Sequence, residues 1–320
     1  MKGLIHPPDR TIAFLRYYPT PQGKRRRGNQ RYDKVYHLVE RFDYLRQHYP
    51  KYLYKDAVFG QELQGVQHSA IKHTYQPKES LRKLIELDER DALQQDVVTF
   101  ANILEQTARV SPNSLGISGS IQVNLHGETS DIDLIVYGRR AAQAVQLALR
   151  RAHLLPEEGI SGYRLETYLP VYNLRWSGSG ISIEKMLLVD GLKAMHGVFG
   201  GHHYFVRAVL EWDEVHEQYG DSKFRQLGRA RAYCRIMDDR DGLFTPCRYE
   251  IEAMKLLEGR FDVEIREIVS FRGRFSEQVR QDEEAIVQGT VELVEHGKEK
   301  WGRFVLGSDP TDILLPKNVL

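Results

Sequence analysis

Asp131 and Asp133, separated by Ile132, are the residues of this chain best suited to do chemistry. In a β-strand, side chains two apart point the same way. The two carboxylates therefore leave one face while Ile132, Leu134 and Val136 enter the core. Two ionised carboxylates in a small volume repel one another, and a divalent cation that prefers hard oxygens, Mg²⁺ or Mn²⁺, relieves that repulsion. Upstream, Gly119-Ser120 supplies a second element. A glycine lets backbone approach a phosphate closely, and a serine hydroxyl donates to phosphate oxygens. The chemistry that needs both features side by side is metal-dependent transfer at the phosphates of a nucleotide.

The surrounding residues fit that use. Leu115-Gly116-Ile117 reads as a short strand, and residues 121–127 are long enough for about two helical turns whose N-terminal amides face an anion. Glu128, Thr129 and Ser130 then turn the chain into the acidic strand. Asp-x-Asp alone also occurs at solvated strand ends. The apolar residues between and after the acids, and the serine before them, argue instead for a buried central strand that ends at a cleft.

Gly116-Ile-Ser-Gly-Ser120 followed by Ser130-Asp-Ile-Asp-Leu-Ile-Val136 resembles the signature of the DNA polymerase β superfamily of nucleotidyltransferases. The chain as a whole is also similar to stand-alone predicted nucleotidyltransferases of unknown substrate, with an opening like His6-Pro7-Pro8-Asp9-Arg10 and a β-rich tail. The resemblance implies an α+β fold with a palm-like mixed sheet and flanking helices. It implies that Gly119 and Ser120 contact a nucleoside triphosphate and that Asp131 and Asp133 hold the divalent metals. Ser130 and Arg139 are the further expected nucleotide contacts, and Arg140 and Arg207 are basic candidates for offsetting phosphate charge.

A third carboxylate normally completes the metal site from a later strand. Glu184 is the choice here, with Glu211 and Asp213 behind it, although each of these alone is more commonly a surface acid. Residues 165–174, which include Glu166, are one candidate for the later strand. Residues 203–211 are the stronger one by composition, and their middle offers Arg207 rather than an acid. Two metals divide the work: one lowers the pKa of an attacking hydroxyl, and the other steadies the leaving pyrophosphate. With the acid in place, the expected activity moves a nucleoside monophosphate to a hydroxyl of RNA, protein or a small molecule. Without it, the chain is a non-catalytic nucleotide- or nucleic-acid-binding module.

Helices are expected over residues 35–48, 79–87, 91–109 and 140–153, where apolar residues recur at helical spacing. Six strand-like segments between residues 230 and 315 suggest a separate sheet or an OB-like barrel. The chain thus reads as a basic, tyrosine-rich extension (1–78), a nucleotidyltransferase domain (79–220) and a β-rich domain (221–320). In the extension, Lys24-Arg25-Arg26-Arg27 is expected at the tip of a hairpin with strands at 12–18 and 32–38. Residues 24–32, together with the aromatic and cationic run Phe271-Arg272-Gly273-Arg274-Phe275, are candidates for RNA or DNA contact. Use of the arm and the tail as assembly surfaces for a homo-oligomer or a partner protein is the alternative.

The 320 residues carry a formal net charge of +1 and 41% hydrophobic residues, and no apolar run approaches the ~18–20 residues that span a bilayer. No membrane partner is expected. The N-terminus has no long apolar stretch of the kind that marks a secretory signal, so a cytoplasmic location is expected. Cys234 and Cys247 lack metal-ligand spacing and are expected to be buried free thiols.

Overall fold

In this computed structural model, which describes residues 3–155 and 159–319, the N-terminal segment builds two three-stranded sheets. The first two residues of the basic extension lie outside the described residues. In order come β1 (Arg10–Ile12), β2 (Tyr17–Pro19), β3 (Arg25–Arg27), β4 (Gln30–Lys34), α1 (Leu38–His48), β5 (Leu53–Asp56) and β6 (Gln61–Gln67). β6 lies between β1 and β5, and β4 lies between β2 and β3, with every pair antiparallel. The expected hairpin is therefore corrected. Arg25, Arg26 and Arg27 form an edge strand of their own, and residue 38 already begins a helix.

The central segment runs α2 (Pro77–Ile85), α3 (Ala92–Ala108), β7 (Leu115–Ile117), α4 (Gly119–Gln122), β8 (Ile132–Tyr137), α5 (Arg139–Leu154), β9 (Ile160–Ser161), α6 (Leu165–Arg175), α7 (Ile183–Asp190), β10 (His196–Phe199) and β11 (His202–Val209). Five of these strands make a mixed sheet in the order β7-β8-β11-β10-β9, in which only β8 and β11 are parallel. The overall class is α+β, as expected from the sequence.

Local chemistry explains the boundaries. α3 starts where Asp91 accepts the Gln94 N–H at 2.8 Å and the Gln94 side chain accepts the Asp91 N–H at 3.1 Å, a reciprocal pair that satisfies two otherwise orphaned donors. α4 is one turn long, shorter than expected. Asn124 adopts φ +53°, and the Leu125 N–H returns to the Ser120 carbonyl at 2.9 Å, so the chain wraps instead of continuing the helix. Residues 165–174 are helical, not a strand. Tyr168 and Val171, three apart, are the positions α6 buries, and this helical spacing overrides their β-favouring composition.

The C-terminal strands are β12 (Ser222–Asp238), β13 (Cys247–Glu258), β14 (Ile265–Ser270), β15 (Glu284–His296), β16 (Glu299–Leu306) and β17 (Ile313–Pro316). They pair in the order β12-β13-β14-β16-β15, and β15 pairs back onto β12, which closes a five-stranded barrel with β17 added at β15. β14 and β16 are its one parallel pair. β12 serves both sides of the closure because it bends at a register shift between Gln226 and Gly228, where Gly228 takes φ +141°.

Two apolar cores result. One lies between the inner face of the central sheet and helices α3 and α5; the other fills the barrel. The chain order does not separate them cleanly. Tyr168, Val171, Trp176, Met186 and Val189 of α6 and α7 and the turn between them pack into the barrel core, while Leu243 and Phe244 of the barrel segment join the sheet core. Cys234 and Cys247 are buried and free, and burial pushes the Cys234 thiol up to about 12. Among the described residues, no helix is long and apolar enough to cross a membrane.

Candidate active site

β8 separates two environments by simple alternation. Ile132, Leu134 and Val136 are fully buried on its inner face, whereas Asp133 is half-buried on its outer face. Asp131, one residue before the strand begins, is exposed. The parallel neighbour β11 sets Phe205 beside Asp133, so His203, Phe205 and Arg207 share that outer face.

From the other side, the turn after β7 closes directly onto Asp133. The Ser118 N–H and hydroxyl both donate to the Asp133 carbonyl, at 2.8 and 3.2 Å. Gly119 then adopts φ +68°, and a Cβ at this position would lie 2.1 Å from Asp133 Oδ2. Only glycine fits so close to the carboxylate. The structure thus brings the Gly-Ser dipeptide and the acidic strand together, and Ser120 is buried in the single turn of α4.

Charge around the acids is dense and uneven. Burial, followed by the neighbouring Asp131, raises the Asp133 carboxyl above its ordinary range, while Arg207, Arg16 and Lys34 act in the opposite direction. Among the described residues, no hydrogen bond and no ion pair within 4.0 Å engages the carboxylate of Asp131 or Asp133. Two unpaired carboxylates of this kind fit Mg²⁺ or Mn²⁺, because such an ion is commonly held by one or two carboxylates together with substrate phosphates.

Two segments roof this face. The arm docks through Arg25, whose Nη1 donates to the Leu125 carbonyl at 3.1 Å and to the Ser130 hydroxyl at 2.8 Å. Arg27 donates to Tyr75 and to the Val123 carbonyl, so these two cations grip the protein itself, while Lys24 and Arg26 stay exposed. From the barrel comes the turn at residues 270–276. A Cβ on Gly273 would lie 2.3 Å from the Phe205 ring, which stacks on His196 at 4.3 Å. Burial and the nearby arginines hold His196 well below its ordinary pKa. Its Nδ1 accepts from Arg175 at 3.2 Å, which leaves Nε2 to donate to the Gly273 carbonyl at 3.3 Å.

Several expected site residues lie elsewhere. The Ser130 hydroxyl is committed to Arg25 and to the Gly127 N–H, so it organises the turn rather than facing the acids. Arg139 follows the opposite end of β8, about 20 Å from Asp133 at ~3.3 Å per strand residue. It pairs with Asp241 at 2.5 Å and packs over Phe244. Arg140, next to it, is exposed in the first turn of α5. Glu184 is exposed in the first turn of α7, where a backbone N–H, followed by the Ser182 side chain, keeps its carboxyl below the usual range. Glu211 lies past the far end of β11 and pairs with Lys78 at 2.6 Å, and Asp213 and Glu166 are exposed. Among the described residues, no group of three or more His, Cys, Asp or Glu is placed to hold a metal ion, so Asp131 and Asp133 stand as a pair.

Arg16, Lys34, Arg175 and Arg272 border the site but were not among the expected site residues. The basic extension contained Arg16 and Lys34, and the aromatic and cationic run at 271–275 contained Arg272, but nothing local placed either segment beside β11.

The chain is 26% identical over 322 residues to an uncharacterized protein of Methanocaldococcus jannaschii, which covers 95% of this chain and 89% of the relative. No protein-family model matches the chain, and no solved structure matches it.

Proposed function

We propose that this protein is a Mg²⁺-dependent nucleotidyltransferase. The carrying observation is the approach of Gly119 to within contact of Asp133, which sets a phosphate-accommodating turn against a carboxylate pair. Asp131 and Asp133 would hold one divalent cation, and that cation would neutralise the triphosphate. Gly119 lets the turn lie directly against Asp133, so that phosphates bound at the turn would sit beside the acids, and the face under the arm and the barrel receives the acceptor. In the transfer, an acceptor hydroxyl gives up its proton to solvent and its oxygen forms a bond to the α-phosphorus. The bond from that phosphorus to the bridging oxygen breaks, and its electron pair leaves with pyrophosphate. RNA, a protein side chain and a small molecule are the acceptor classes. The barrel supports an OB-like reading, because its strands run in the order first, second, third, fifth and fourth, the fourth closes antiparallel onto the first, and the third and fifth are its one parallel pair.

A non-catalytic nucleotide-binding module is the second reading. Arg207 favours it, since β11 carries a cation where the superfamily's third acid is expected. Incubation with α-labelled triphosphates and candidate acceptors separates the two. The transferase reading expects label transfer that falls at least about 100-fold, or about 2.7 kcal/mol, in the Asp131→Ala/Asp133→Ala double variant. Mg²⁺-dependent triphosphate binding without transfer would favour the module, and equal transfer by the double variant would detach the activity from this site.

A further inference from the structure

Asp133 has different neighbours on its two sides. Gly119 approaches from the β7 side, and the β11 side presents His203, Phe205 and Arg207. If the nucleotide's phosphates use the glycine side, the acceptor occupies the β11 side. β11 itself supplies no carboxylate, and the acid that faces Arg207 is Asp133. Instead, three guanidinium groups from three separate segments converge there, namely Arg16 of the arm, Arg207 of the sheet and Arg272 of the barrel turn.

Their placement follows from contacts. Arg207 lies over the Phe205 ring at 4.8 Å, and Gly273 is packed against that same ring. The adjacent Arg272 lies over Phe14 at 6.0 Å, two residues before Arg16. Arg272 uses its Nε on the Gly307 carbonyl, and no ion pair within 4.0 Å engages Arg16, Arg207 or Arg272 among the described residues. Arg207 and Arg272 are half-buried and Arg16 is exposed beside them; Asp133 favours the charge on Arg207, while Arg16, Arg175 and Arg272 oppose it. Such an arrangement is suited to an anion, and planar guanidinium forks match phosphate oxygens.

We infer that the acceptor is a phosphate monoester and that one of its phosphate oxygens is the nucleophile. The missing third acid and the arginine cluster then have a single explanation. A hydroxyl must lose a proton before or during attack, and lowering its pKa is the task of a metal held by that third acid. A phosphate monoester has a second pKa near 6, so at neutral pH it is already ionised. It needs its charge offset and its oxygen aligned, and Arg16, Arg207 and Arg272 do both. The attacking phosphate oxygen bonds to the α-phosphorus, the bond to the β-phosphate's bridging oxygen breaks, and pyrophosphate leaves with the electron pair. No proton is removed and no redox change occurs. The product is a phosphoanhydride joining the nucleoside monophosphate to the acceptor phosphate.

The reaction rests on the transferase reading, whereas the anion site stands on the arginines alone. The test supplies the full chain with Mg²⁺, α-labelled triphosphates and matched acceptors with and without a phosphate: ribose 5-phosphate and ribose, glycerol 3-phosphate and glycerol, and a 5′-phosphorylated RNA oligonucleotide with its 5′-hydroxyl form. The inference expects label only on phosphorylated acceptors, in a linkage resistant to phosphatase. The small esters and the oligonucleotide show which source supplies the phosphate. In Arg207→Gln and Arg272→Gln, the acceptor KM should rise at least tenfold with the triphosphate KM changed less than about twofold. Equal labelling of unphosphorylated acceptors, or a rise confined to the triphosphate KM, would overturn it. If no acceptor is labelled, the phosphate-acceptor reaction is overturned, and calorimetry with the same phosphate esters decides the anion site. A tenfold weakening in Arg207→Gln retains the site, and unchanged affinity removes it.

Discussion

The two faces of β8 differ by one residue step and share nothing else. On the inner face, Leu134 and Val136 meet α3 and α5 in a sealed apolar core. On the outer face, Asp133 meets a glycine turn, an arginine-bearing strand and two roofing segments. The comparison teaches that a central strand can hold a costly charged site because its other face anchors it. Stability is gathered where water is excluded, and the carboxylates that the fold would otherwise avoid are kept on the opposite side.

Removing the anchor should have the largest effect. Leu134 is fully buried, and Leu134→Ala is expected to cost about 2–5 kcal/mol, read as a lower denaturant midpoint with the same slope. An unchanged midpoint would mean that the inner face is not the anchor. On the outer face, Gly119→Ala forces a side chain into the left-handed region and against Asp133. It is expected to cost about 1–2 kcal/mol in stability and at least tenfold in transfer. Full activity in that variant would contradict the tight packing of turn on acid.

Asp133→Asn should produce the smallest and most diagnostic effect. A carboxyl whose folded pKa lies above its unfolded value favours folding fully at low pH and loses that contribution as pH rises through the folded value. At neutral pH, without metal, the charge on Asp133 therefore opposes folding. The amide should melt higher than wild type at pH 7, and the gap should close as the pH falls below the ordinary carboxylate range. A gap that widens in acid would reverse the assignment.

Features written in nearby residues were legible in the sequence. The apolar alternation around the two acids located β8, Leu115-Gly116-Ile117 located β7, and apolar residues recurring at helical spacing over 91–109 located α3. The barrel strands were readable segment by segment, although their closure depends on pairings across the chain such as Arg231 with Gln288. The misplaced residues were carried away by the elements that hold them. Arg139 is near Asp133 in sequence, but an extended strand carries it to the other end of the sheet. Glu184 had a plausible position but lies on a helix that belongs with the barrel core. Arg16, Arg207 and Arg272 are far apart along the chain, and only the docking of arm and barrel onto β11 joins them.

The most direct test of the central claim is anomalous diffraction from crystals soaked with Mn²⁺ and a non-hydrolysable nucleoside triphosphate. The account predicts one strong manganese peak bound by Asp131 and Asp133, with the phosphates beside Gly119. Manganese or triphosphate bound elsewhere, with both carboxylates left unligated, would contradict it.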